Sequence, residues 1–497
     1  MNIIIGPPGT GKTTKLLSLV EQELDKGISP TNIGYFAFTN RAADEAKSRA
    51  NARFNLDNDS LPFFRTLHSL AFQQLGMSRS QVLNDEQKRD FGDLMGLEIS
   101  GKGVFEEGSF AYSKKGDQIL GIIEVARVRG ISTKQLWAHI NPDLNWYEVD
   151  RVERGLAEFK KARNLYDFTD MLALFVTEGA APKLDVLFID EAQDLSFLQW
   201  QVVEQLKSLC NKVYIAGDDD QAIFRWAGAD VNNFLALEGE ISVLEQSYRV
   251  PKHAHFLAGS LIKRVSKRRE KFWKPRPEAG QLLWHSDIEH INMSEGEWLI
   301  LARNNYLLNQ AENQCRLEGF FYQRNNRKGV SEKLLEAILS WEQLRKGESV
   351  TAAQVKQIYK YMTAKRGVAK EHKSLKGIFD EAILSLQALL SSHGLLTTAI
   401  WHEAFDRVSD KERQYLIACL RRGEKLTKTP RIQISTIHGA KGSEADNVVV
   451  FTDIGQKSWL EMQKQPDDET RVFYVALTRV KKNLHIIQPR TTRSFQL

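Results

Sequence analysis

Gly6-Pro7-Pro8-Gly9-Thr10-Gly11-Lys12-Thr13, directly after the apolar run Ile3–Ile5, is the stretch whose reading decides the fold. It fits G-x-x-x-x-G-K-S/T between a strand and a helix expected to start near Thr13, which is the context this pattern requires. Glycines let backbone N–H groups curl around phosphate oxygens at a helix N-terminus. Lys12 then reaches the β and γ phosphates, and the Thr13 hydroxyl ligates magnesium. With Thr14, these residues form the candidate ATP-binding loop, and the cofactors they imply are ATP and Mg2+.

Leu187-Phe188-Ile189-Asp190-Glu191 places two carboxylates at the end of a second strand, where ligands of open α/β sheets bind. Asp190 is expected to hold the magnesium with Thr13, and Glu191 to polarise the attacking water as a base. A strand ending in Asp-Glu is by itself often a solvated terminus. The phosphate loop upstream is what gives the pair its meaning.

Working outward, short β-branched and aromatic runs recur between amphipathic stretches: Gly34–Thr39, Val186–Asp190, Val213–Gly217, Trp298–Ala302, Ile432–Thr436, Val448–Thr452 and Leu484–Ile487. Strands alternating with helical patterns imply parallel sheets covered by helices. The runs fall into two groups divided near Tyr248, so the expected fold class is α/β with two parallel-sheet domains in series. The expected first domain is 1–80 with 166–247, interrupted by a helical insertion at 81–165. The second is 248–329 with 429–497, interrupted by a reduced helical insertion at 330–428.

A length of 497 residues suits three or four structural units, and 42% apolar with 26% charged residues is a globular composition. Cys210, Cys315 and Cys419 are widely spaced, with no CxxC, which argues against disulfides, zinc and iron–sulfur clusters. Neither a basic leader with an apolar stretch nor an 18-residue apolar run is present, so the expected location is cytoplasmic and no membrane partner is expected. The net charge of +5 says little about nucleic acid at this length. One denser run, Lys263 to Arg276, interleaves Lys267, Arg268, Arg269, Lys271 and Lys274 with Phe272 and Trp273. It reads either as a solvated helix end or as a strand-contacting surface.

The string Ile215-Ala-Gly-Asp-Asp-Asp-Gln221-Ala-Ile-Phe224-Arg-Trp226-Ala-Gly-Ala-Asp230 resembles motif III of the UvrD/Rep family of superfamily 1 helicases. Phe38-Thr39-Asn40 is similar to motif Ia, Thr66-Leu-His68 to motif Ib, and Asp190-Glu-Ala-Gln193-Asp194 to motif II. Leu244-Glu-Gln-Ser-Tyr248-Arg249 is similar to motif IV, Ser435-Thr436-Ile-His438-Gly-Ala-Lys441-Gly-Ser-Glu444 to motif V, and Val472-Phe-Tyr474-Val-Ala-Leu-Thr478-Arg479 to motif VI. The resemblance implies two RecA-like domains with ATP in the cleft between them. On that mapping Gln221 senses the γ phosphate from the first domain, while Arg249 and Arg479 reach it from the second as an arginine finger does. Tyr248 stacks on the adenine and Glu444 contacts the ribose.

Phe38, Phe224 and Trp226 match positions where the family stacks bases, and Asn40, Thr66, His68, Thr436 and His438 match positions along the strand path. An aromatic near a strand end is also the pattern of a core residue. Stacking contributes ~1–3 kcal/mol per base, against ~1.4 kcal/mol per base-pair step of a duplex, so such a grip can compete with pairing. The resemblance implies a DNA-stimulated ATPase and a 3′ to 5′ helicase in replication, repair or recombination. Its expected partners are single-stranded and tailed duplex DNA, with any replication or repair proteins unidentified.

The sequence departs from the family in four places. The phosphate loop begins at Gly6, leaving no room for the adenine-reading glutamine motif, and Leu83-Asn-Asp-Glu-Gln87 imitates that motif downstream. Ala227 stands where relatives commonly carry an arginine. The second insertion is short, and the chain ends 18 residues after Arg479, where relatives continue into a hairpin associated with strand separation. The compact length resembles a phage or minimal bacterial form. A single-strand translocase that opens duplexes weakly, and a loader or recombination mediator whose ATPase switches DNA affinity, are the alternatives. A nuclease is disfavoured because no further carboxylate cluster follows motif VI.

Overall fold

In the computed structural model, which describes residues 1–57, 59–100, 114–140 and 142–497, the apolar runs become the inner strands of two largely parallel sheets. The first sheet comprises β1 (Asn2–Ile5), β2 (Ile33–Phe36), β3 (Phe64–Arg65), β4 (Val186–Ile189), β5 (Lys212–Gly217) and β6 (Glu240–Val243). Their order is β3-β2-β4-β5-β1-β6, with parallel pairing throughout. Alternate side chains go to opposite faces, and both faces are covered. Ile3, Ile5, Leu187 and Ile189 pack with helix Phe197–Lys207, whereas Ile4, Val186, Phe188 and Tyr214 pack with helices Lys12–Asp25 and Asn40–Phe54.

The second sheet takes β7 (Gln281–His285), β8 (Trp298–Ala302), β9 (Tyr322–Arg324) and β10 (Arg327–Lys328). Beyond a small ribbon of β11 (Val350–Thr351) and β12 (Ile383–Leu384), it takes β13 (Ile432–Thr436), β14 (Ala445–Phe451) and β15 (Val480–Ile487). The order is β10-β9-β13-β8-β14-β15-β7, with β10 antiparallel at one edge and the other pairs parallel. The architecture is the expected α/β pair of parallel-sheet domains. Within these two sheets, the strands that sequence reading passed over, β3, β6, β7, β9 and β10, are short or lie at the sheet edges. On β6 and β7, Ile241 and Trp284 are about half exposed (49% and 48%), which weakens the apolar signal.

The two helical regions are built differently. Helices Asp85–Met95, Lys115–Val128, Thr133–Ile140 and Trp146–Arg163 enclose a core of their own, from Leu83 through Ile119 and Val149 to Leu165. Residues 101–113 and 141, part of the expected first insertion, lie outside the described residues. The ends of this region meet in a parallel bridge at Val82 and Tyr166, where Leu83 N–H donates to Tyr166 O and Tyr166 N–H to Gln81 O (3.0 and 2.8 Å). By contrast, helices Glu332–Arg345, Ala352–Lys360 and Asp410–Arg421 share one continuous core with the second sheet, joining Trp341, Tyr359 and Leu416 to Ile300, Ile434 and Val449. No helix among the described residues is long and apolar enough to cross a membrane.

The order β4-β5-β1 brings three strand ends side by side. From them emerge the acidic pair, the Asp218–Gln221 turn and the phosphate loop, at the carboxyl edge where such sheets bind ligands.

Candidate nucleotide and nucleic-acid sites

The phosphate loop is anchored where Gly6 N–H donates to Gly217 O at the end of β5 (3.0 Å). Thr10 Oγ1 donates to Pro7 O within the loop (2.8 Å). At Gly9 the backbone is left-handed (φ 73°), and a Cβ there would lie 2.4 Å from Cβ of Arg249. Glycine is therefore required both by conformation and by the approach of the second domain. The helix starts at Lys12, one residue before the expected Thr13, and its N-cap, Gly11, supplies no side-chain acceptor. Its first N–H groups are thus available to an anion. Lys12 Nζ lies 3.1 Å from Gly6 O and 3.4 Å from Glu191 Oε1, while Thr14 Oγ1 accepts from Arg49 (2.9 Å).

Asp190 Oδ2 accepts from Thr13 Oγ1 (3.0 Å) and from the Tyr35 hydroxyl (2.8 Å). A hydroxyl and a carboxylate this close beside a phosphate loop fit magnesium, which takes one or two protein oxygens and completes its shell with substrate phosphates and water. Burial and the neighbouring Glu191 charge push Asp190 above the usual carboxylate range. For Glu191, burial acts upward but Lys12 and Lys441 outweigh it and hold the group at about 2. An ionised carboxylate is the state a general base needs. Glu191 also has a left-handed backbone (φ 52°), a conformation that non-glycine residues adopt uncommonly.

Gln221 Nε2 donates to Asp218 Oδ2 (2.7 Å), and its Oε1 accepts from Arg479 (2.9 Å). Arg479, just past helix Pro466–Leu477, is 3% exposed and also donates to Val475 O (3.0 Å). Burial and the nearby Arg249 push it down to about 9, so it stays charged at neutral pH. Arg249 is paired with Glu444, whose other oxygen takes Lys481 (2.9 Å). Here Glu444, the expected ribose contact, is engaged by two cations. Tyr248 is 75% exposed, while its N–H donates to Gly9 O (2.9 Å). Ser247 Oγ donates to Pro8 O (2.7 Å), so motif IV clasps the phosphate loop from the second domain.

Besides Tyr35 and Asp218, four residues of this centre went unassigned in the sequence. Ser247 provides the clasp, and Gln193 links Glu191 (2.5 Å) to Asp218 N–H (2.9 Å). Lys441 crosses the cleft to Asp194 and to Gln221 O (2.7 Å). Burial raises Asp194 to about 6 against the pull of Lys441. Each lies inside a motif string, but their pairing is a tertiary fact.

Among the residues assigned to nucleic acid, Phe38 and Phe224 stack on each other, with centroids 5.5 Å apart and planes at 22°. A base can enter between them only if the pair parts. Trp226 meets His438 edge-on (6.0 Å), and both line a cavity of about 620 Å³ shared with Arg129 of the first insertion and Arg303 of the second domain. His438 is buried, and burial with Arg303 keeps its imidazole well below the ordinary value. Thr66 caps helix Leu67–Gln74 and donates to Asn40 Oδ1 (3.2 Å). Thr436 is buried and accepts the Gly439 N–H (3.1 Å). His68 instead packs edge-on against Phe168 (5.8 Å), and burial lowers it to about 4.

Two sequence readings are resolved by geometry. Asn84 and Gln87, in the stretch imitating a glutamine motif, form a reciprocal capping box of helix Asp85–Met95 (2.9 Å each way). The basic run Lys263–Arg276 is only partly solvated. Lys271 and Arg268 are drawn into the acidic turn Asp218–Asp220, and Trp273 is buried, leaving Phe272 exposed.

Residues 1–242 match the model of the UvrD/REP helicase N-terminal domain, and residues 413–491 match that of the UvrD-like helicase C-terminal domain. Similar curated proteins include the ATP-dependent DNA helicase PcrA of Bacillus subtilis, 25% identical over 72% of this chain and 50% of the relative. PcrA of Staphylococcus epidermidis is 26% identical over 54% of this chain and 39% of the relative. PcrA of Staphylococcus aureus is 27% identical over the same shares. The matches thus span half or less of these relatives.

Proposed function

We propose that this chain, which belongs to the UvrD/Rep helicase family, is an ATP-driven DNA motor that travels 3′ to 5′ on single strands and opens tailed duplexes. The observation that carries the reading is the meeting of Lys12, Asp190, Glu191 and Gln221 of one sheet with Arg249 and Arg479 of the other in a single cleft. In this reading residues Gly6 to Thr14 cradle the phosphates and Tyr248 offers its face to the adenine. Glu444 exchanges a cation for the ribose. Thr13 and Asp190 hold magnesium, which when bound neutralises charge on the β and γ phosphates.

Glu191, kept ionised by two ammonium groups, orients a water and takes its proton. Arg479 brings guanidinium charge to the transferring phosphoryl group only while the second domain is seated, so hydrolysis follows domain closure. Phe224 and Trp226 lie three and five residues after Gln221 in the chain, so any movement of that turn is passed to the residues proposed to hold bases. Phe38, Asn40, Thr66, His68, Thr436 and His438 complete the proposed strand path.

The test is ATP hydrolysis with and without single-stranded DNA, followed by unwinding of duplexes carrying 3′ tails, 5′ tails or blunt ends. DNA-stimulated hydrolysis and opening of the 3′-tailed substrate are expected. Hydrolysis with movement but no unwinding would assign a translocase, and hydrolysis without movement a loader or mediator. Absence of DNA stimulation would refute the motor.

A further inference from the structure

Lys271 belongs to the segment of the second domain between helix Lys252–Ile262 and the buried Trp273, yet its ammonium lies among three carboxylates of the first. It stands 2.8 Å from Asp218 Oδ1, 2.7 Å from Asp219 and 3.0 Å from Asp220, with no exposed side-chain surface. The neighbouring groups are bound to other partners as well. Arg268 forks onto Asp220 (2.8 and 2.6 Å), Arg269 N–H donates to Asp219 Oδ2 (2.8 Å), and Arg471 donates to Asp219 O (2.9 Å). Asp218 divides its carboxylate between Lys271 on Oδ1 and Gln221 on Oδ2 (2.7 Å).

The contacts form a relay that begins and ends on the second domain: Lys271, Asp218, Gln221, Arg479. A carboxylate only accepts, so Asp218 selects the Nε2 end of Gln221; a guanidinium only donates, so Arg479 selects Oε1. The orientation of the amide is thus fixed as long as Asp218 stays ionised. Burial acts against that, and Lys271 outweighs it. We propose that Lys271 is a positioning residue for hydrolysis, which fixes Asp218 and through it the amide of Gln221 when the second domain seats on the first. This rests on the ATP-motor reading. Mere charge balance would require an ammonium anywhere among the three acids, whereas this one sits on the oxygen opposite the Gln221 contact.

The experiment uses the full chain with Asp218→Asn, Lys271→Met and the double variant Lys271→Met/Asp219→Asn, the last restoring the charge count without restoring the Asp218 contact. DNA-saturated turnover, KM for ATP and thermal melting are measured together. Each variant is expected to lose about 10²-fold in kcat, the scale of a misplaced reacting group, with KM near the parental value. The double variant is expected to melt above the single lysine variant. Parental kcat in the double variant or in Asp218→Asn would overturn the inference, as would losses of kcat that track melting temperature. A parental protein without DNA-stimulated hydrolysis would refute the motor reading and this inference with it, whereas parental hydrolysis with unchanged variants refutes the inference alone.

Discussion

Replacing Arg479 by alanine removes a buried cation that both touches Gln221 and approaches the proposed γ-phosphate position. A unit charge about 4 Å from the transferring group is worth about 4 kcal/mol at an effective dielectric of 20. That corresponds to about 10³-fold in rate, at the lower end of the 10³–10⁵ range for arginine fingers. The same change leaves Gln221 Oε1 without its 2.9 Å donor. An unpaired buried acceptor costs about 1–3 kcal/mol of stability, so folding must be followed independently. The assay is steady-state ATP hydrolysis at saturating single-stranded DNA, beside equilibrium binding of a fluorescent nucleotide analogue and thermal melting. Turnover should fall about 10³-fold while nucleotide binding, supported by Lys12 and the loop, persists. A folded Arg479→Ala protein with parental turnover would show that the cleft does not act through this residue, and the proposed coupling of closure to hydrolysis would fail.

Lys12→Ala and Glu191→Gln should both abolish DNA-stimulated hydrolysis, the first by weakening nucleotide binding and the second while nucleotide still binds; parental rates in Glu191→Gln would exclude it as the base. Trp226→Ala should weaken single-strand binding by about 1–3 kcal/mol without altering the salt slope of binding, because the proposed contact is to bases rather than phosphates. An unaltered affinity in a destabilised Trp226→Ala protein would make Trp226 a core residue. His485, packed against His285 and Trp298, is lowered by burial to about 4 from an ordinary 6.5. A depressed folded value means that its stabilising contribution is full above pH 6.5 and is lost as pH falls through 4. His485→Phe should therefore flatten the acid limb of a stability profile between these values, by at most about 1.4 kcal/mol per pH unit; an unchanged slope there would mean that the imidazole protonates freely in the fold.

What could be read from the sequence followed burial and locality. The strand runs ending at Ile5, Ile189 and Gly217 were legible because strands covered on both faces are continuously apolar, and the phosphate loop because its chemistry is contained in eight consecutive residues. The edge strands β6 and β7 were not, since most residues of each are open to water. Lys271 and Arg268 looked like surface charges because the acids that receive them stand about fifty residues earlier, and nothing local ties one run to the other. Phe38 and Phe224 were each legible as candidate base-stacking residues, but not as each other's stacking partner. Gln87 was recognisable as misplaced for adenine, and only the backbone around Asn84 explains its presence as a helix cap.

The bridge at Val82 and Tyr166 has a consequence for how such a chain can change over generations. Seen from the first sheet, everything between those two residues is a single loop whose ends are already pinned together. The entropic cost of closing a loop grows only with the logarithm of its length, so the parts of this module away from Val128 and Arg129, which pack on the Arg225–Gly228 turn, can be lengthened or trimmed with little disturbance to the phosphate loop. The other helical region has no such freedom. Its Trp341 and Tyr359 share one continuous core with the second sheet, so inserting or deleting residues among its helices would be felt at β8 and β13. Evolutionary novelty in a chain built this way has an inexpensive port of entry on one domain and a guarded one on the other.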